Sequence, residues 1–329
     1  MAQAAHDLVQ PQPGGDAEVE VSGAVQGRTP WELFWLRFKE DRAAFVGLGF
    51  LALLLVLALT APLIANNVLH RGPNDLDLAR DMTDQFGIPK GPNSTYWFGA
   101  DIAGRDLFVR VIYGIRTSLL VAVLATGISV VIGVTMGIVA GYFGGRIDTI
   151  ISRAIDIILS LPLLLFAIGL VGACSTSTEG CLGGLIKPGL GLVVFVISVF
   201  SWPYIARIVR GNTLSLREKE FIEASRSLGA GNTRIMFTEV LPNLVAPIIV
   251  YATLIIPNNI LFEAALSFLG LGVPQAVPSW GRMLSDAARI FEVAWWLMLF
   301  PGLFLVITTI AFNLVGDGLR DALDPRTGR

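Results

Sequence analysis

The chain has 329 residues, 53% of them hydrophobic and only 15% charged, whereas soluble domains carry roughly 25% charged residues. A net charge of −2 supplies no basic field for nucleic acid. Two histidines, with no HExxH and no Cys/His cluster, argue against a metal site, and the lack of GxxxxGK[ST] means that this chain does not bind ATP by itself. What remains is an all-α membrane protein with several spans.

Residues 1–28 have no apolar run and read as a disordered tail rather than a signal peptide. Thr29-Pro30-Trp31-Glu32 is a capping box with proline at the first helical position. It predicts a helix over 29–42, with Trp31, Phe34, Trp35 and Phe38 set among Arg37, Lys39 and Arg42. Aromatics beside cations suit a helix lying in the membrane interface, although the segment also reads as the start of the first span. That span covers 43–65, enough to cross a bilayer. Residues 66–116 are too polar to span and form a loop. In it Arg105, Asp106 and Arg110 are spaced to pair on a short amphipathic helix, either a structural one or one that touches substrate.

A second span over 118–140 carries Gly133, Gly137 and Gly141 on one face, where a neighbouring helix can approach closely. The third span, 148–171, has Pro162 as a kink and Arg153 and Asp156 positioned to pair. Cys174 and Cys181, the only cysteines, bracket a short loop that permits a disulfide. A fourth span covers 190–208. A fifth, 244–265, carries Asn258, Asn259 and Glu263; polar groups in hydrocarbon face either a partner helix or a water-filled path. A loop with a short helix near 280–290 leads to the sixth span, 296–315, and a polar tail, 316–329.

Between the fourth and fifth spans, residues 211–243 are polar and highly charged, so they lie in water. Two helices fit: about Leu216 to Leu228, stopped by Gly229, and Asn232 to just before Pro242. The segment is either an ordinary solvated loop or a rigid elbow able to transmit force. With six spans, Arg37, Lys39, Arg42, Arg146, Arg153, Arg207, Arg210, Arg217, Lys219, Arg320, Arg326 and Arg329 fall on the elbow's side. Arg71, Arg80, Lys90, Arg105, Arg110, Arg282 and Arg289 fall on the other side, but the first loop there is long and offsets its cations with Asp75, Asp77, Asp81, Asp84, Asp101 and Asp106. The positive-inside rule therefore predicts that the elbow and both termini are cytoplasmic and that the cysteine loop lies outside.

Glu223-Ala224-Ser225, Gly229 and Leu241-Pro242 resemble the "EAA" loop of ABC importer permeases, with Ser225 where alanine and Glu239 where isoleucine is usual. ARIVRGNTLSLREKEFIEAS, ILFEAALSFLGLG and VGDGLRDALDPR are similar to the second, "C"-type permease of oligopeptide importers, a resemblance covering roughly Trp31 to Arg326. It implies six transmembrane helices in the type I ABC importer permease fold, with a core over 117–315, an N-terminal interfacial helix and a cytoplasmic coupling helix. It also implies a heterodimer with a second permease, two ATP-binding subunits that hold ATP and magnesium, and an extracytoplasmic substrate-binding protein delivering peptide. Glu223, Ala224, Ser225 and Gly229 carry over as the contact with the ATP-binding subunit. Asn258, Asn259 and Glu263 are candidates for the translocation path. Dipeptides, nickel chelates, glutathione and oligosaccharides are alternative cargoes of the same architecture. A self-contained secondary transporter is disfavoured by the lack of an inverted repeat and the scarcity of intramembrane acids. An enzyme is disfavoured by the lack of a nucleophile–base constellation.

Overall fold

The computed structural model describes residues 30–75, 82–85, 87–176 and 189–323. The expected N-terminal tail, Thr29 of the capping box, Cys181 and the last six residues of the chain lie outside that set. The helices are α1 (Pro30–Glu40), α2 (Arg42–Leu63), α3 (Leu107–Phe143), α4 (Gly145–Ser160) and α5 (Leu163–Thr176). There follow α6 (Leu190–Arg217), α7 (Glu220–Ser227), α8 (Asn232–Phe268), α9 (Trp280–Ala287) and α10 (Trp296–Leu323). Among the described residues five helices, α2, α3, α6, α8 and α10, are long and apolar enough to cross a membrane, and the bent pair α4–α5 makes a sixth if counted as one span.

The third span is broken, not merely kinked. α4 and α5 meet at 84°. Pro162 has no N–H to give and its ring clashes with a preceding carbonyl, while Leu161 before it is extended (φ −78°, ψ 131°). α3 begins eleven residues before the expected Ser118 because Asp106 caps it, accepting from the N–H groups of Phe108 and Val109 at 2.9 and 3.3 Å. At 37 residues it is about 55 Å long, more than the hydrocarbon thickness, so it projects beyond the bilayer. α1 is a separate helix. Asp41 ends it and starts α2, accepting from the N–H groups of Ala43 and Ala44. Phe38 is buried with Ala44 and Ala322, which docks α1 on the last turns of α10.

α3 and α6 form the tightest pair in the bundle. A Cβ at Gly133 would lie 2.8 Å from the Trp202 carbonyl oxygen, one at Gly137 2.7 Å from that of Ala206, and one at Gly141 2.6 Å from Thr213 Cβ. The glycine face lets two backbones meet where side chains would hold them apart. Ser129 and Ser198 also join these helices: the Ser129 hydroxyl donates to the Ser198 carbonyl at 3.2 Å and that of Ser198 to the Ala125 carbonyl at 3.3 Å. α8 packs across both, and α10 fills the space between α8 and α2.

At the end of the bundle opposite the elbow, charges seal the segment before α3. Asp101 pairs with Arg105 at 2.7 Å and with Arg110 at 3.2 Å, and Asp106 pairs with Arg71 at 3.1 Å. Arg105, Asp106 and Arg110 therefore do not pair among themselves, as their spacing suggested; each finds a partner outside that set. Burial pushes the Asp106 carboxyl above its ordinary range, against the opposing pull of Arg71 and two backbone N–H groups. Arg110 also donates to the Pro73 carbonyl and to Asn74 Oδ1, both at 2.9 Å. α9 closes this end: Trp280 is fully buried and its indole donates to the Val111 carbonyl at 3.2 Å.

The substitution Gly137→Ala is expected to destabilise the protein by about 1–3 kcal/mol through overpacking of the α3–α6 contact. Gly127→Ala, where an added Cβ meets nothing within 4 Å, serves as its control. Thermal unfolding in detergent should show a lowered midpoint for the first and none for the second.

Candidate functional site

The elbow is built on one glycine. α6 runs on to Arg217, past the expected end of the span, and α7 starts at Glu220 rather than Leu216. α7 ends where Gly229 takes φ +83°, a conformation that disfavours any residue with a Cβ. The N–H of Gly229 donates to the Arg226 carbonyl at 3.0 Å and that of Ala230 to the Ser225 carbonyl at 3.1 Å, the paired bonds of a Schellman stop. No atom lies within 4 Å of a Cβ placed there, so backbone conformation, not space, requires glycine.

The second elbow helix does not end before Pro242. α8 continues from Asn232 to Phe268, because the wide π turn Ile235–Val240 lies just ahead of Pro242 and accommodates its ring and missing N–H. The elbow is thus a single short helix, α7, held between the ends of two long ones.

α7 buries one side chain. Ile222 is fully buried with Ile235, Val240, Tyr142 and Val209, a cluster drawn from α3, α6 and α8. The opposite face is bare: Glu223, Ala224 and Arg226 are exposed, Ser225 is half-buried, and Leu228 at the tip is 89% exposed. Tyr142 at the end of α3 donates to Asn232 Oδ1 at 3.0 Å, and the Arg226 guanidinium lies 5.9 Å from the Tyr142 ring. Arg217 donates to the Gly141 and Tyr142 carbonyls at 3.3 and 3.4 Å, supplying partners to carbonyls that the end of α3 leaves open. Sequence reasoning found Glu223, Ala224, Ser225 and Gly229 but missed Ile222, Leu228 and Arg217. An apolar residue on each side of a charged eight-residue helix was the available signal.

Ion pairs extend the frame to α4. Arg210 makes a two-toothed pair with Asp148, and Arg207 lies 2.9 Å from Asp156. The expected Arg153–Asp156 pair is not the one formed; Asp156 turns to α6, and Arg153 is exposed.

The polar residues of α8 divide. Asn259 is fully buried, donating to Thr126 Oγ1 on α3 and accepting from Ser201 on α6, both at 2.8 Å. Glu263 is also fully buried, accepting from Ser118 at 2.9 Å and Ser267 at 2.7 Å. Both serve as bonds between helices in this structure, which is where a polar group in hydrocarbon is least costly. Asn258 alone of the three is exposed, with its amide donating to the Leu254 carbonyl at 3.2 Å. Cys174, buried at the end of α5, carries a disulfide. It sits at the end of the bundle opposite the elbow, since α6 crosses from Leu190 near it to Arg217.

The described residues thus form a bundle of apolar, membrane-crossing helices with a charged, glycine-stopped knob at one end. The family model described as "Binding-protein-dependent transport system inner membrane component" matches residues 133–329, and that described as "N-terminal TM domain of oligopeptide transport permease C" matches residues 29–85. The chain is 38% identical over 322 residues to a dipeptide transport system permease protein of Alkalihalophilus pseudofirmus, covering 98% of this chain and 97% of that one. It is 38% identical over 299 residues to a glutathione transport system permease protein of Pectobacterium atrosepticum, covering 91% and 92%. A dipeptide permease of Bacillus subtilis is 40% identical over 296 residues, covering 90% and 85%. Among solved structures, a chain of the inward-facing MetNI methionine ABC transporter superposes with a TM-score of 0.54 at 20% identity, covering 66% of this chain and 98% of that one, a likeness of fold. The chain belongs to the binding-protein-dependent transport system inner membrane component family. It is a non-catalytic, multi-pass permease subunit of a bacterial inner-membrane importer that works with a binding protein and an ATPase.

Asn259→Ala is expected to lower stability by about 1 kcal/mol, since it removes two interhelical hydrogen bonds, whereas Asn258→Ala leaves stability unchanged. Melting of the two purified variants side by side checks this.

Proposed function

We propose that the chain is one of two different permeases in an ATP-driven importer of short peptides. Its elbow docks on an ATP-binding subunit, and ATP and magnesium are bound by that subunit. The observation that carries this reading is α7 itself: one anchored side chain, an exposed face with Leu228 at its tip, and ends tied to three spans. Glu223, Ala224 and Ser225 line the docking face, and Gly229 sets its angle.

The orientation follows from the charges. Both described ends of the chain, at Pro30 and Leu323, lie at the elbow's end of the bundle, because α1 packs on the close of α10 while α10 opens beside Ala100 at the opposite end. The Lys and Arg residues near the span ends there support a cytoplasmic placement by the positive-inside rule, the arginines of the other end being paired with aspartates. Cys174 then faces the extracytoplasmic side, where a disulfide persists. The peptide cargo is supported by relatives named for dipeptides and glutathione. The substrate-binding protein delivers it to the extracytoplasmic end, and Asn258, which is exposed where Asn259 and Glu263 are buried, is the favoured candidate for the path.

Gly229→Asp and Glu223→Lys are expected to uncouple ATP hydrolysis from peptide uptake while the protein still inserts and assembles. Uptake and hydrolysis measured together in proteoliposomes of the whole complex decide this; normally coupled uptake in both variants would overturn the docking role.

A further inference from the structure

The end of the bundle away from the elbow holds a second feature with chemistry of its own. A hollow of about 260 Å³ opens between the ends of α5 and α6 and the turn that follows α8. Its walls are Val171 and Leu192 on one side, Gly270, Gly272 and Pro274 on another, and the Arg282 side chain of α9. The turn is held in shape from behind. Arg110 reaches the Gln275 carbonyl at 3.5 Å and Asn74 donates to the Ala276 carbonyl at 2.8 Å. Gly270 takes φ +80°, and the Ser267 hydroxyl meets the Val273 N–H at 3.4 Å.

Arg282 is under-used. Its Nε is buried without a hydrogen-bond acceptor among the described residues. Its ion-pair partner, Asp286, lies 3.7 Å away, beyond hydrogen-bond reach. Its Nη1 stands 3.8 Å from the position of a Cβ on Gly270, so the guanidinium looks across the wall of the hollow. In the ion pairs at this end, four arginines (Arg71, Arg105, Arg110, Arg282) share three aspartates (Asp101, Asp106, Asp286), one carboxylate fewer than guanidinium groups. A planar guanidinium with free donors beside small glycine walls suits a carboxylate, which it can bind through two parallel hydrogen bonds. Pockets that swallow a drug-sized ligand run to about 300–1,000 Å³, so this hollow admits one end of a peptide and not the whole of it. The valine and leucine walls suit a carboxylate carried on an apolar residue and not a free inorganic anion.

We infer that Arg282 and the turn spanning 270–275 form a receiving site for the terminal carboxylate of the incoming peptide. This rests on the peptide cargo and the orientation proposed above. The site would take hold of the peptide's charged end as it leaves the binding protein and before it enters the bundle.

The test uses the complete complex in proteoliposomes, with binding protein saturated in turn by a dipeptide and by the same dipeptide with its carboxyl terminus amidated. Wild type should import the free acid faster than the amide. Arg282→Gln should shrink that ratio about tenfold, the worth of a charge-assisted hydrogen bond. Arg282→Lys, which keeps the charge, should restore a good part of it. An unchanged ratio in Arg282→Gln would overturn the proposal, as would an equal fall for both peptides, which marks a merely structural role. A wild-type complex that imports neither peptide removes the cargo reading itself and this site with it.

Discussion

The close approach of α3 and α6 is the contact on which the rest of the molecule depends. In hydrocarbon no hydrophobic force drives helices together, so contact rests on packing and on hydrogen bonds between them. Gly133, Gly137 and Gly141 bring the two backbones together over two turns. Ser129, Ser198 and Asn259 then find partners across the gap. The same approach fixes the distance between Tyr142 at the end of α3 and Arg217 at the end of α6, and those two residues frame the elbow. One packed seam thereby sets the geometry of the part that faces the cytoplasmic machinery on the proposed orientation.

Much of this was legible in the residues. The apolar runs gave the spans, the four-residue glycine spacing gave the close contact, and Gly229 gave the turn. The ends of the helices were harder to read, because they are decided by contacts and not by composition. α3 starts early because Asp106 caps it, and Asp101 just before it is shared between Arg105 and Arg110. α8 passes through Pro242 because a π turn precedes it, and nothing in ILE-type or charged residues announces a π turn. Ion pairs were misassigned for the same reason. Helical spacing proposes Arg153 for Asp156, but the fold offers Arg207 from another helix.

The polar groups of the bundle sort by whether a partner reaches them. Asn259 and Glu263 were attractive as path residues because hydrocarbon makes polar side chains costly. That cost has two remedies, water or a partner, and sequence does not distinguish them. Here the hydroxyls of Thr126, Ser201, Ser118 and Ser267 meet every oxygen and nitrogen in question, so these two residues join α3, α6 and α8. Small hydroxyl residues on facing helices are the sequence sign of a partner: Ser118 and Thr126 lie two turns apart on α3, and Ser201 lies on α6.

The broken span and the elbow are held to the bundle in contrary ways. α4 buries only Ile155 of its own side chains, and it is joined to α6 by Asp148–Arg210 and Asp156–Arg207. The second pair is more than half exposed on both sides and contributes little, by the usual worth of such pairs. α4 therefore hangs on the bundle by one good ion pair and a thin apolar contact, while α5, beyond the 84° break, buries Ala167, Val171 and Cys174 against α3 and α6. α7 is in the contrary position. Ile222 sits among side chains of three long helices, so α7 cannot shift without moving α3, α6 and α8 together. Interiors packed this closely pass on displacement instead of taking it up. On the proposed docking role, a force at α7 would be passed to α3, α6 and α8 together, while the break at Leu161 and Pro162 leaves α4 lightly held.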